Sequence, residues 1–310
     1  MKLYKPLFWN EINVISILLY PLSLITLIVN ILKKISHKKK FKIKSICIGN
    51  LYIGGTGKTP LSIKINNILK KKYKTVFIKK KYFDQIDEQK ILKSYGNSIF
   101  TKHRDTALKI ATNQKYDVAI LDDGLQEKSL NYNITIACFN SSEGVGNGFL
   151  IPSGPLREGV SEIKNYDAAF LNGEKNNKKL SKYLKKINSE IKIFEGKYVP
   201  TNLRFFNLKK NFLFFCGLGN PSEFERTLKK YKFKIKEKFI YPDHYNFTNL
   251  DIINLKKIAK KKKLNIITTE KDYLRLNKKN RKNIKFLKID LNVKNIKNFS
   301  KFLIERLWKN

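Results

Sequence analysis

Apolar runs recur at 43–48, 75–78, 117–121, 134–139 and 167–171, and the stretches between them carry helix-like spacing of apolar positions. Short continuous apolar runs alternating with helical segments predict an α/β protein with a mostly parallel, doubly wound sheet covered on both faces. A lysine- and asparagine-rich stretch at 174–190 leads to a second set of runs, beginning at Phe212-Leu213-Phe214-Phe215 and continuing near 234–240 and 265–268. This second set predicts a smaller carboxyl-terminal α/β lobe. No internal repeat is evident.

Ahead of the first strand, residues 12–32 are mostly apolar but are interrupted by Asn13, Ser16, Ser23, Thr26 and Asn30 and broken by Pro21. That length just suffices to span a bilayer, and the interruptions fit equally a helix lying in the interface. Lys33, Lys34, Lys38, Lys39, Lys40, Lys42 and Lys44 follow at once. Such lysines favour an anionic, cytoplasmic leaflet by about 1 kcal/mol each, which puts the remainder of the chain in the cytosol. The alternatives are a signal peptide, disfavoured because no small-residue cleavage site follows, and a buried core helix.

Composition narrows the partners only partly. The chain has 310 residues, 42% of them apolar, with 64 Lys+Arg against 25 Asp+Glu, a formal charge of +39. That charge points to phosphates, nucleic acid or an anionic membrane, but the excess is nearly all lysine and can spread over every solvated face. Neither a helix-turn-helix nor an RNP-like aromatic pattern is present, so nucleic acid is not an expected partner. Cys47, Cys138 and Cys216 show no CxxC spacing, which fits a reducing compartment, and His37, His103 and His244 lie too far apart for a local zinc motif.

The chemistry concentrates at 45–60, where Ser-Ile-Cys-Ile-Gly-Asn leads through Tyr52, Ile53, Gly54, Gly55, Thr56, Gly57, Lys58 and Thr59 to Pro60. Glycines there allow successive amides to face a phosphate chain at a helix amino terminus. Lys58 would reach the β- and γ-phosphates, and the Thr59 hydroxyl would ligate magnesium. Tyr52 stands where the strict phosphate-loop pattern has its first glycine, and Ile53 where partitioning-type ATPases carry a signature lysine. A second run, Tyr116 to Gln126, is a buried-strand pattern ending in Asp122 and Asp123. Carboxylates at the carboxyl end of a parallel strand would sit beside the phosphate loop, where one of the two could hold magnesium directly or through water.

These blocks resemble a known family. Gly49-Asn50 before the loop, Leu121-Asp122-Asp123-Gly124-Leu125-Gln126, Gly146-Asn147-Gly148, and Ile151-Pro152-Ser153-Gly154-Pro155-Leu156-Arg157-Glu158 are similar in order and spacing to the tetraacyldisaccharide 4′-kinases. Pro242-Asp243-His244 with Phe247-Thr248, and Thr268-Thr269-Glu270-Lys271-Asp272 with Arg275-Leu276, extend the match to residue 276. The resemblance implies an ATP- and magnesium-dependent kinase that phosphorylates the 4′-hydroxyl of a lipid A disaccharide precursor. It places the enzyme at the cytoplasmic face of the bacterial inner membrane, with that anionic surface and the lipid disaccharide as partners. It implies Asp87 as catalytic base beside His244, and Gln126, Arg157 and Glu158 as substrate or phosphate contacts. Arg157 and Glu158 also fit a helix-capping pair, and Thr269 with Asp272 has capping-box spacing.

Two departures stand out: Glu127 replaces the family's histidine after Asp-Asp-Gly-Phe-Gln, and Lys79-Lys80-Lys81-Tyr82 replaces Ser-Arg-Gly-Tyr. The expected division is 1–40 for the membrane-associating helix and basic flank, 41–190 for the nucleotide-binding domain and 191–310 for the lobe. With Asp87 in the domain and His244 in the lobe, the catalytic pair would be divided between them. The rival readings are a membrane-bound ATPase that positions partner proteins, and a GTPase. Glu270 argues against the latter, since it stands where a guanine-reading segment needs lysine.

Overall fold

The computed structural model describes residues 6–35, 37–82, 86–174 and 177–308. Its strands are β1 (Lys44–Gly49), β2 (Thr75–Lys80), β3 (Ser98–Thr101), β4 (Val118–Asp122), β5 (Ile134–Asn140), β6 (Ala168–Asn172), β7 (Lys192–Pro200), β8 (Asn211–Cys216), β9 (Lys234–Ile240), β10 (Asn265–Thr269), β11 (Ile284–Leu287) and β12 (Ile289–Val293). Its α-helices are α1 (Val14–Leu18), α2 (Tyr20–Lys34), α3 (Lys58–Leu69), α4 (Ile86–Tyr95), α5 (Arg104–Asn113), α6 (Lys178–Ile187), α7 (Pro221–Lys230), α8 (Asn249–Lys261), α9 (Glu270–Arg275) and α10 (Ile296–Trp308).

The chain forms two compact units. The larger comprises Pro6–Lys81, Leu92–Tyr198 and Leu291–Asn310; the smaller includes Tyr82–Ile91 and Val199–Asp290. The single cut expected near residue 190 is thus replaced by a discontinuous division. The last segment joins the larger unit because Leu291, Val293, Phe299, Leu303 and Leu307 bury their side chains there. The amino-terminal helices belong to the larger unit as well.

In the larger unit eight strands lie in the order β12-β7-β6-β5-β1-β4-β2-β3, and the pairs from β7 through to β3 are parallel. Leu121, Phe139 and Leu171 on one face join a cluster with Leu108 of α5 and Leu180 of α6. Helix α3 packs against β1, β2 and β4. Burial on both faces explains why these strands read as unbroken apolar runs. After β1 the chain moves toward β2, and after β5 toward β6, so the sheet has a topological switch between neighbouring β1 and β5. Ligands of such sheets bind at the carboxyl ends of strands at such a switch. The smaller unit holds a parallel sheet in the order β11-β10-β8-β9. Phe212, Phe214 and Ile267 fill one of its faces and Leu213, Phe215 and Ile266 the other.

The amino-terminal segment is where the structure corrects the sequence most. Among the described residues no helix is long and apolar enough to cross a membrane. Pro21 occupies the first turn of α2 and separates it from α1, leaving 15 residues in α2. Fifteen helical residues rise only about 22 Å, short of a hydrocarbon core of roughly 30 Å. The polar interruptions are the contact face: Ser23 Oγ donates to Leu150 O at 2.8 Å, Thr26 Oγ1 to Ile151 O at 2.7 Å and Asn30 Nδ2 to Arg157 O at 2.8 Å. Ser16 and Ser23 are buried, while Val14, Leu18, Ile25, Ile28, Leu32 and Ile35 are exposed. The segment is therefore inverted relative to an ordinary surface helix, with polar side chains inward and apolar ones outward.

Candidate active site

In the larger unit, β1 runs through a glycine turn into α3, whose first residues are Lys58 and Thr59. Gly57 caps the helix at φ +94°, and a Cβ there would lie 2.7 Å from the Tyr198 hydroxyl and 2.9 Å from Asn172 Nδ2. Both the left-handed backbone and the close approach require glycine. The amides of residues 54 to 59 donate no backbone hydrogen bond among the described residues. They form a row of donors at a helix amino terminus, the arrangement that suits a phosphate chain. Thr56 Oγ1 and both side-chain amide atoms of Asn172 are buried with no hydrogen-bond partner among the described residues, so the turn is lined by polar atoms that a bound nucleotide can satisfy.

The carboxylates divide their roles by position. Asp122, at the end of β4, is fully buried. Its Oδ2 accepts from Thr59 Oγ1 at 2.9 Å and from the Lys79 ammonium at 2.9 Å, and its Oδ1 accepts from Ser62 Oγ at 3.3 Å. Asp123, at φ +65°, accepts from Arg157 Nη2 at 2.9 Å and lies 3.8 Å from Lys58 Nζ. Burial alone would push the Asp123 carboxyl up, but Lys58, Arg157 and Lys79 outweigh it and hold it well below the usual carboxylate range. Among the described residues no group of three or more His, Cys, Asp or Glu side chains is placed to hold a metal ion. Magnesium needs no such cage, since it takes one or two protein oxygens and completes its shell with phosphates and water. The Thr59 hydroxyl, its proton committed to Asp122, has a lone pair left for that purpose, so the residues fit the ion.

Several expected contacts take other places. The Tyr52 side chain is buried and its hydroxyl donates to Glu143 at 3.0 Å, while the Ile53 amide donates to Pro155 O at 2.8 Å. Gln126 Nε2 donates to Asn50 O at 3.0 Å. Glu158 is buried and accepts from the Tyr166 hydroxyl at 2.8 Å and pairs with Lys128 at 2.9 Å, which makes it a support of the loop. Arg157 and Glu158 do not cap a helix: the next helical turn, Val160–Asn165, has Gly159 as its cap. Glu127 accepts from Ser129 Oγ at 2.6 Å and lies 3.8 Å from Arg104. Two residues given no role in the sequence belong to the centre. Asn50 Oδ1 accepts from Lys58 at 3.1 Å and from Arg157 Nη2, and Lys79 is buried against Asp122. A lysine that ends an apolar strand and opens the departure at 79–82 was the signal available for the second.

The smaller unit brings together Asp87 and His244, so both members of the expected pair belong to one unit and are not divided between two. His244 Nδ1 lies 3.4 Å from Asp87 Oδ1, and His244 holds φ +57°. A left-handed non-glycine backbone costs on the order of 1–3 kcal/mol and is a recurrent mark of functional positions. Arg275 Nη2 donates to Asp87 Oδ2 at 2.7 Å and Arg275 Nη1 to Asp272 Oδ1 at 2.7 Å. Asp272 also accepts from Gly217 N at 3.1 Å and from Thr269 Oγ1 at 2.7 Å, while its own amide is capped by Thr269. The spacing of Thr269 and Asp272 does mark a helix start, with Thr269 as its cap, but the Asp272 carboxylate turns to the Thr269 hydroxyl, the Gly217 amide and the arginine that holds Asp87, so the pair makes an N-cap and not a full capping box. Lys271 lies 3.1 Å from Glu88 and 3.7 Å from Asp87. Burial would raise the Asp87 carboxyl, yet the His244 hydrogen bond, Lys271 and Arg275 bring it down to about 2. Burial would likewise lower Lys271, but Glu88, Asp243 and Asp87 raise it above an ordinary lysine.

A glycine turn opening a helix with Lys-Thr, beside an acidic strand end in a parallel doubly wound sheet, defines a phosphate-loop nucleotide-binding protein. The family model described as LpxK, tetraacyldisaccharide-1-P 4′-kinase, matches residues 15–98 and 87–308. The tetraacyldisaccharide 4′-kinase of Pelagibacter ubique (strain HTCC1062) is 44% identical over 317 residues, covering 100% of both chains. That of Rickettsia typhi (strain ATCC VR-144 / Wilmington) is 36% identical over 318 residues, covering 95% of this chain and 96% of the relative. This chain belongs to the tetraacyldisaccharide 4′-kinase family. The "apo" form LpxK from Aquifex aeolicus in complex with ATP shares the fold, with a TM-score of 0.71 at 21% identity over 94% of this chain and 99% of that one.

Proposed function

We propose that this protein transfers the γ-phosphoryl group of ATP to the 4′-hydroxyl of a tetraacyldisaccharide 1-phosphate, a lipid A precursor. The observation that carries the reading is the Lys58-Thr59 helix start, with Thr59 bonded to Asp122, in a chain 44% identical over its full length to a named kinase of that substrate. Lys58 and the amides of 54 to 59 hold and neutralise the transferring phosphates. When bound, magnesium neutralises the charge that develops between the β- and γ-phosphates; Thr59 would hold it, oriented by Asp122. The 4′-oxygen forms the new bond to phosphorus as the bond to the bridging β,γ-oxygen breaks, and ADP leaves. Asp87, ionised at any physiological pH, accepts the hydroxyl proton late in that transfer, when the oxygen has already lost electron density to phosphorus. His244 positions it.

The enzyme works at the cytoplasmic face of the bacterial inner membrane, with α1 and α2 lying in the lipid interface. Support for this placement comes from the outward apolar side chains of both helices and from the lysines that follow them. Purified protein given ATP, magnesium and a disaccharide 1-phosphate acceptor should form the bisphosphorylated product, and Lys58→Ala should lower the rate at least ~10³-fold. Equal ATP consumption with and without the acceptor would favour the ATPase reading. Co-sedimentation with anionic liposomes tests the placement.

A further inference from the structure

Lys79 is almost fully buried, with 2% exposure, and its ammonium sits 2.9 Å from the carboxylate of the fully buried Asp122. The parallel register of β2 and β4, with Ile78 beside Leu121, sets the two residues side by side at their strand ends. At this position the resembling family has serine, which would bring a hydroxyl and no charge. Removing either member leaves the other as an uncompensated buried charge, which destabilises the fold. The same Asp122 oxygen accepts the Thr59 proton, and the other accepts from Ser62.

We propose that Lys79 is a positioning residue of the nucleotide site, a built-in counter-ion that keeps Asp122 turned to Thr59, so that magnesium enters with the nucleotide phosphates and not before them. Asp122, with three donors on its two oxygens, has little capacity left for direct metal coordination, and its service is to orient the Thr59 hydroxyl. Lys58, Lys79 and Arg157 are three cations set against the two carboxylates of Asp122 and Asp123. The balance of one positive charge attracts a polyphosphate and repels a free divalent cation. Without Lys79 the balance falls to zero, and Asp122 becomes an uncompensated buried carboxylate that a cation can neutralise. The proposal rests on the kinase reading for the identity of the nucleotide.

Thermal unfolding with MgCl2 alone, and ATP binding titrated with MgCl2, test it in wild type and Lys79→Met. The wild-type midpoint should not move with MgCl2 alone. Lys79→Met should melt several degrees lower and regain stability with MgCl2 alone. Its half-saturating magnesium concentration for ATP binding should fall about tenfold. A variant with the wild-type magnesium profile and no response to MgCl2 alone overturns the proposal. If Lys79→Met does not fold, the double variant K79M/D122N, which removes both charges, should fold and show no MgCl2 response; a double variant that also fails to fold overturns it. Failure of wild type to bind ATP, with the MgCl2 response of Lys79→Met intact, would instead sink the kinase reading and keep the charge-pair one.

Discussion

Asp122 and Asp87 are both buried carboxylates held by cations, but the chain brings their partners from different distances. Around Asp122 the partners come from a neighbouring strand end and from the helix after the phosphate turn: Lys79 arrives through the shared register of β2 and β4, and Thr59 and Ser62 through the first turns of α3, which packs on β4. Around Asp87 a sheet register acts only at second hand: its arginine stands 188 positions away in sequence and is anchored by Asp272, itself held by Thr269 at the end of β10 and by Gly217 just past the end of its parallel neighbour β8. The lesson is that the phosphate site rests directly on strand ends and the helix packed beside them, whereas the dyad reaches its sheet only through a chain of hydrogen bonds.

The largest effect expected at the dyad is catalytic. Asp87→Ala should lower turnover about 10²–10³-fold while nucleotide affinity stays within about twofold of wild type, measured by steady-state kinetics beside equilibrium binding. A wild-type rate in that variant removes the base and the contrast with it. Next comes Arg275→Met, which strands two buried carboxylates and should destabilise the protein by about 3 kcal/mol in urea titrations. An effect near zero would show that the hydrogen-bond chain is dispensable.

The pH dependence is smaller. Because the folded Asp87 pKa is depressed from 3.8 to about 2, its contribution is fully present above pH 3.8 and is lost as pH falls through about 2. The stability gap between wild type and Asp87→Asn should therefore narrow by about 2 kcal/mol across that window. A constant gap would mean that the carboxylate is not held ionised by its partners. Smallest is Asn30→Leu, which removes one hydrogen bond from α2 to the Arg157 carbonyl and should cost about 1 kcal/mol. If its kinase rate falls further than its stability, the amino-terminal helix helps to set the Arg157 loop and the sheet does not order that site alone.

The phosphate loop was readable because its chemistry is contiguous: Gly54 to Thr59 must be neighbours in sequence to wrap one phosphate chain, and β1, β2, β4, β5 and β6 announced themselves as strands buried on both faces. Strands β3, β7, β11 and β12 were not readable, since they are half-exposed or lie toward sheet edges and mix polar with apolar residues. The roles of Lys79, Asn50 and Arg275 could not be read either, because the meaning of a lone charged or amide side chain lies in what folds against it. Ser23, Thr26 and Asn30 were visible as flaws in an apolar stretch. Only the fold turned them inward, because carbonyls of the 150–157 loop needed donors there. The order of residues determined which strands form and where a polyphosphate is gripped. Tertiary packing decided which charges are paired, since pairing depends on distance in space and not on separation along the chain.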